Sequence, residues 1–300
     1  MTKSDFSTRD WFELEWSEWK PLYADSFSEI PKEPGLYRVR SQHDERLFLE
    51  YIGESGDTRR RVQALARGTY ADKMPYRDPH TAAPSLWAIR DAVGPELEVS
   101  YATPSKAEDD QHRKGIEAAL IALHRRETNQ SPTANFGRII EGYKQSSYSY
   151  NEPAYKGGRL DDGETEANAE EGVGPTKWKN STEPRARDWM GLEWSEPYRL
   201  RNRLDANPPD NGLYRIWYDD ASVPLAYVGE SSNISSRLYN HEKTFGGHAQ
   251  FSWVALTHLD AHHKRTEIET ELIGAYYLTE QESPLAQFGY EQKLDRKELR

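Results

Sequence analysis

Apolar and polar positions alternate with period two in two short stretches near the start of each half of the chain. Gly35-Leu36-Tyr37-Arg38-Val39-Arg40 alternates, a polar turn follows at His43-Asp44-Glu45, and Leu47-Phe48-Leu49-Glu50-Tyr51-Ile52 comes next. That pattern predicts a β-hairpin. Asp57 then reads as an N-cap for a helix from Arg59 to Ala66. A third strand is predicted over Glu96–Tyr101. A longer helix follows from about Ala107 to Arg126, with Ile116, Ala119, Leu120 and Leu123 at core spacing. The second half gives the same order: a hairpin through Gly212-Leu213-Tyr214 and Tyr227-Val228-Gly229, Asn233 capping Ile234 to His241, a strand over Gln250–Ala255, and a helix from about Ala261 to Thr279. The first half has a longer central segment, which holds Pro75, Pro79, Pro84 and a short helical stretch around Leu86-Trp87-Ala88-Ile89.

The two halves match in sequence as well as pattern. Asp10-Trp11-x-x-Leu14-Glu15-Trp16-Ser17-Glu18 returns as Asp188-Trp189-x-x-Leu192-Glu193-Trp194-Ser195-Glu196. Ile116-Glu117-x-x-Leu120-Ile121 returns as Ile268-Glu269-x-x-Leu272-Ile273. Ser131-Pro132-x-Ala134-x-Phe136-Gly137 returns as Ser283-Pro284-x-Ala286-x-Phe288-Gly289. The chain is a tandem duplication whose period is too long for a solenoid. The expected division is a first domain at 1–150, a flexible acidic linker at 151–184 and a second domain at 185–300. The linker stretch has Asp161-Asp162-Gly163-Glu164 and Glu170-Glu171-Gly172 with few apolar residues to offset the entropy of ordering.

Composition narrows the class. The 300 residues are 36% hydrophobic and 30% charged, with 9 Trp and 18 Tyr, enough for two modest cores. No run approaches the roughly 20 apolar residues of a membrane span, and the first residues lack the apolar stretch of a secretory signal. Cys is absent, which excludes disulfides and thiolate metal sites. A soluble, cytoplasmic protein with no membrane partner is expected. The net charge of −11 sits awkwardly with nucleic-acid binding, which Lys and Arg dominate. Acidic residues confined to a solvated back face and the linker would reconcile the two; a salt-rich cytoplasm is the other reading left open.

Each half offers two strand-borne Tyr, an Arg in the following helix and a Glu on the later helix. Arg61 lies eight residues beyond Gly53, and Arg237 eight beyond Gly229. A guanidinium clamps phosphate through paired donors, a lone carboxylate suits hydrated magnesium, and a phenol can pass a proton onward. The set suits phosphodiester hydrolysis.

At these residues the chain resembles the GIY-YIG nuclease superfamily, in both halves. Gly35-Leu36-Tyr37 and Gly212-Leu213-Tyr214 stand for the first motif; Tyr51-Ile52-Gly53 and Tyr227-Val228-Gly229 stand for the second. The resemblance implies an α/β (α+β) fold of two tandem domains, each a small three-stranded antiparallel sheet flanked by helices. It implies an endonuclease assisted by one Mg2+ or Mn2+, acting on nucleic acid, with DNA the expected polymer. By position Tyr37 looks like the general base, Tyr51 and Arg61 orient water and phosphate, Glu117 looks like the metal ligand, and Asn135 looks like a supporting amide. Tyr214, Tyr227, Arg237 and Glu269 match in the second half, but Gln287 stands where Asn135 does. Its added methylene displaces the amide by about an ångström or more, so the first domain is expected to be the active one and the second mainly to grip. The monomer would act as an internal pseudo-dimer.

Each residue has a plainer reading. Hairpin Tyr residues usually pack, helix Glu and Arg are usually solvated, and Asn135 and Gln287 could simply satisfy loop backbone. The paired Trp residues read as core. His241, His262 and His263 lack a spaced ligand set, so a surface or capping role is expected for them. A nucleic-acid-binding protein without catalysis, or a non-catalytic interaction module, also remains open.

Overall fold

A computed structural model describes residues 5–23, 27–43, 45–94, 96–149, 152–219 and 221–289. Asp44 of the expected hairpin turn and Asn151 at the start of the expected linker lie outside them. The protein is mixed α+β and divides into two units, Met1–Arg113 with Glu127–Gly172, and Lys114–Arg126 with Val173–Arg300. In chain order the elements are β1 (Lys20–Pro21), β2 (Gly35–His43), β3 (Arg46–Ser55), α1 (Thr58–Thr69), α2 (Ala83–Val93), β4 (Leu97–Ala102), α3 (Asp110–Thr128), β5 (Tyr143–Lys144), β6 (Gly158–Arg159), β7 (Tyr198–Arg199), β8 (Gly212–Trp217), β9 (Tyr227–Ser231), α4 (Ile234–Phe245), β10 (Gln250–Ala255) and α5 (His262–Glu280). Both expected caps form. Asp57 accepts from the Arg60 N–H and Asn233 from the Ser236 N–H, each at 2.9 Å.

The main sheets have four strands rather than three. Their orders are β1-β4-β2-β3 and β7-β10-β8-β9, all neighbours antiparallel. The extra edge strand follows each Trp motif. Ser17 N–H donates to Tyr101 O and Leu22 N–H to Leu97 O, both at 2.8 Å; Ser195 N–H donates to Trp253 O at 2.8 Å and Leu200 N–H to Ala249 O at 2.9 Å. Two-residue pairings carry no alternation that a sequence pattern could reveal.

The Trp motifs pack as cores: Trp11, Trp16, Trp189 and Trp194 are all buried. Each pair encloses an arginine from the central strand. Arg38 lies 4.2 Å from the Trp16 ring centroid and donates to Phe6 O and Thr8 O. Arg215 lies 4.2 Å from the Trp194 centroid and donates to Pro184, Arg185 and Ala186 carbonyls and to Ser252 Oγ. Burial pulls both guanidinium pKa values down to about 9, which leaves them charged at neutral pH. Each cation thus staples an irregular segment to its sheet through backbone carbonyls of that segment.

The stretch expected to be a bare linker is divided between the units and hydrogen-bonded in both. In the first, β5 pairs with β6, and Asn168 accepts from Ile139 N–H and donates to Gly137 O. In the second, Val173 N–H donates to Glu267, while Thr176 N–H and Trp178 Nε1–H donate to Glu271. Those two glutamates share one guanidinium. Arg125, in the Lys114–Arg126 portion of α3, donates to Glu267 at 2.9 Å and to Glu271 at 3.3 Å, with all three side chains fully buried. Gly274 permits the approach, because a Cβ there would stand 2.2 Å from Ala118 O. Buried charges hold only when paired and hydrogen-bonded, and here polar bonds replace the apolar burial that the composition lacks.

Replacing Arg215 by Met keeps apolar bulk but removes the guanidinium donors to the Pro184, Arg185 and Ala186 carbonyls. The expected cost is about 3–5 kcal/mol, together with faster amide exchange around residues 184–194. Unchanged exchange there would remove the stapling role.

Candidate active site

The hairpin register builds the site. Tyr37 stands opposite Gly53, and Tyr214 opposite Gly229. A Cβ on Gly53 would lie 2.6 Å from the Tyr37 hydroxyl and 2.6 Å from the Tyr51 ring; at Gly229 the Tyr214 hydroxyl would be 2.5 Å away. Glycine therefore lets both phenols converge over one backbone position. Ring centroids are 5.9 Å apart in Tyr37–Tyr51 and in Tyr214–Tyr227.

The first unit's three consecutive arginines have separate tasks. Arg59 is spent on the Ile30 and Ser28 carbonyls, and Arg60 is exposed. Arg61 donates to Pro79 O and reaches Tyr37; although burial disfavours its charge, Tyr37, Tyr51 and Glu54 raise its pKa. In the second unit Arg237 hydrogen-bonds Tyr214 and Tyr227, chiefly Tyr214, and its pKa rises accordingly. Burial and then Tyr227 push the Tyr214 phenol well above its usual value, with Arg237 opposing them.

A histidine completes each cluster. His80 Nε2 lies 2.8 Å from the Tyr37 hydroxyl, and His241 Nε2 lies 2.9 Å from that of Tyr214. Both imidazoles are buried, so His241 is neither a surface nor a capping residue. Burial first, and the nearby arginine second, hold His80 well below its usual pKa and His241 at about 4, so both are neutral at pH 7. Ala82 N–H donates to His80 Nδ1 at 3.2 Å. The neutral ring therefore carries its proton on Nε2, which donates to the Tyr37 oxygen. The two histidines arrive by different routes: His241 sits one turn past Arg237 on α4, whereas the corresponding position on α1 is the buried Leu65 and His80 comes from the inserted segment. One-turn spacing from Arg237 was a readable signal for His241; nothing in the pattern marks His80.

Asn135 and Gln287 do the same work. Asn135 accepts from Ile52 N–H at 3.0 Å and donates to Ile52 O at 2.9 Å; Gln287 does so with Val228 at 3.1 and 3.0 Å. Each amide is buried and spent on the middle residue of a Tyr-x-Gly motif. The longer side chain of Gln287 displaces nothing, which removes the reason to expect a weaker second site. The residue after each amide, Phe136 or Phe288, has φ of 62° or 61°. Bulky residues adopt that left-handed conformation only when the surroundings impose it.

Among the carboxylates, Glu269 lies on α5 and accepts from Glu230 N–H at 3.1 Å. Burial and then the Glu230 charge raise its pKa to about 7. Glu230 is held by Arg265 at 3.1 Å and His262 at 3.2 Å, and Glu54 is held by Arg113 at 2.5 Å. Tyr214, Tyr227, Arg237, His241 and Glu269 thus form one electrostatically linked group. In the first unit Tyr37, Tyr51, Arg61 and His80 converge, and Glu117 lies half-buried on the portion of α3 that groups with the second unit.

The Glu269 carboxyl has a reference value of 4.5 and titrates at about 7 when folded. Between those values the folded state keeps a proton that the unfolded state has lost, so stability falls as pH rises through that window. Glu269→Gln removes the charge. The variant is expected to be more stable than the parent at about pH 8 by on the order of 1–3 kcal/mol, and level with it at about pH 4. Denaturant unfolding at both pH values checks this, and an equal offset at both would sink it. No known protein family, curated protein or solved structure matches this chain.

Proposed function

We propose that the chain is a metal-dependent endonuclease in which each half contributes a site for hydrolysing phosphodiester bonds of nucleic acid, DNA in the first instance. The resemblance of both halves to GIY-YIG nucleases supports this reading. The observation that carries it is the repeated Tyr-Tyr-Arg-His cluster. The two copies have diverged around it, and a histidine stands against the first Tyr in both, from an inserted loop in one unit and a helix in the other. Packing alone gives no reason for that hydroxyl–imidazole contact to recur through two unrelated backbone routes.

The chain's own groups divide the work as follows. Arg61 and Arg237 hold a non-bridging phosphate oxygen and place the phosphorus near the Tyr pair. Tyr37, as its phenolate, removes the proton from the attacking water and becomes the neutral phenol. His80 Nε2–H and Arg61 both donate toward the Tyr37 oxygen and stabilise the phenolate before that transfer. Tyr51 and Tyr227 wall the site and orient the water. Glu269, with a carboxylate whose pKa is raised by burial and by Glu230, fits a hard hydrated cation that needs one protein oxygen; Glu117 is the matched residue of the first half. Bound there, Mg2+ or Mn2+ would supply charge stabilisation to the scissile phosphate.

Tyr37→Phe and Tyr214→Phe delete one hydroxyl each and keep the ring. Each is expected to slow its own site by about 10²–10⁴-fold. On supercoiled plasmid with magnesium, either single variant should accumulate nicked circles and the double variant should leave the plasmid intact. A folded double variant that cuts like the parent would overturn the assignment. Glu117→Ala and Glu269→Ala made separately test the metal ligands in the same assay: each should also yield nicks, and unimpaired double-strand cutting by either folded variant excludes that glutamate.

A further inference from the structure

The first unit has a cavity of about 460 Å³ on the face of α1 turned away from Arg61. Tyr23, Phe27 and Tyr70 supply aromatic walls, Ala66 the floor, and Gln63 and Arg67 the polar edge. Tyr23 and Tyr70 meet edge to face, with ring centroids 5.8 Å apart. Tyr23 is 50% exposed, which leaves half of a large aromatic side chain open to solvent. The volume is within the range of small-ligand sites, and an apolar slot with a few hydrogen-bonding groups is their usual make-up.

The surrounding charge says what enters. Arg60, Gln63 and Arg67 fall on one stripe of α1, and both arginines are exposed. Seven residues of helix put their guanidinium stems about 10 Å apart, a spacing that lets them take phosphates flanking a single nucleotide. An amide offers a base edge both a donor and an acceptor.

The second unit provides an internal control. Tyr239, Glu242 and Lys243 occupy the places of Gln63, Ala66 and Arg67. There Glu242 pairs with Arg203, the Arg203 guanidinium covers the Tyr239 ring at 5.2 Å, and Lys243 lies 3.9 Å from that ring's centroid. The polar edge that Gln63 supplies in the first unit is thus replaced by an aromatic ring flanked by two cations.

Resting on the nucleic-acid reading above, we propose that this pocket of the first unit is a nucleobase subsite. One unstacked base of the bound strand enters the pocket and packs against Tyr23, Phe27 and Tyr70, and its flanking phosphates lie on Arg60 and Arg67. In the second unit Tyr239, Glu242 and Lys243 replace Gln63, Ala66 and Arg67, so the two halves grip their strands differently.

Full-length protein in EDTA, where no strand is cut, is titrated with a short fluorescein-labelled oligothymidylate and with an abasic sugar–phosphate strand of the same length. The parent is expected to bind the base-bearing strand about ten-fold tighter, the scale of base–aromatic stacking. Tyr23→Ala, at a half-exposed position, and Ala66→Trp, which fills the slot, should each erase that preference, whereas Tyr239→Ala should retain it. Equal affinity of the parent for both strands, or a preference that survives both pocket variants, overturns the subsite. If plasmid nicking with magnesium persists in that case, the nuclease reading stands without it. Failure to bind either strand overturns both.

Discussion

A phenol laid across a glycine fixes the rest of the site. Tyr37 faces Gly53 across β2 and β3, and Tyr214 faces Gly229 across β8 and β9, at separations that admit no Cβ. The missing side chain lets the second Tyr ring approach from the same strand and brings the first hydroxyl to the end of the hairpin. There α1 or α4 begins, so an arginine one turn along reaches the phenols. The amide of Asn135 or Gln287 then locks the residue before that glycine through both of its backbone groups. Position, rather than unusual side-chain chemistry, makes these tyrosines candidates for proton transfer.

Much of this was legible in the chain. Period-two alternation marked the hairpins, Asp57 and Asn233 marked the helix starts, and the Gly/Tyr spacing with Arg61 and Arg237 marked the polar cluster. The failures have physical causes. Arg38 and Arg215 sit at polar positions of the alternation yet are among the most buried side chains, because the Trp segments cover the second face of each sheet. A one-sided pattern assumes that face is wet. Residues 152–184 looked too polar to order, but composition counts apolar atoms and not hydrogen bonds to Asn168, Glu267 and Glu271. His80 could not be foreseen, since its contact with Tyr37 depends on where an irregular segment folds back.

Comparison of the two copies separates what the scaffold needs from what the cluster needs. Asn135 and Gln287 differ in length and make the same two bonds. Leu65 and His241 occupy one helical position and do different jobs, a core contact in one unit and a contact to Tyr214 in the other. Beside α1 there is a pocket edged by Gln63 and Arg67, whereas the matching positions of α4 carry Tyr239 and Lys243, with Glu242 paired to Arg203. Divergence has fallen on walls, linkages and grooves, while the phenol–guanidinium–imidazole arrangement is common to both.

Arg125 carries a consequence for biosynthesis. Its carboxylate partners Glu267 and Glu271 lie 142 and 146 residues downstream. At translation speeds of about 5–20 residues per second, the ribosome needs roughly 7–30 s to deliver them after Arg125 has been made. During that interval the Lys114–Arg126 portion of α3 has no α5 to receive Ala118 and Ala122. A guanidinium in the last turn of α3 keeps that end of the helix hydrated until its partners emerge, where a leucine would lengthen the apolar stripe of Ile116, Ala119, Leu120 and Leu123.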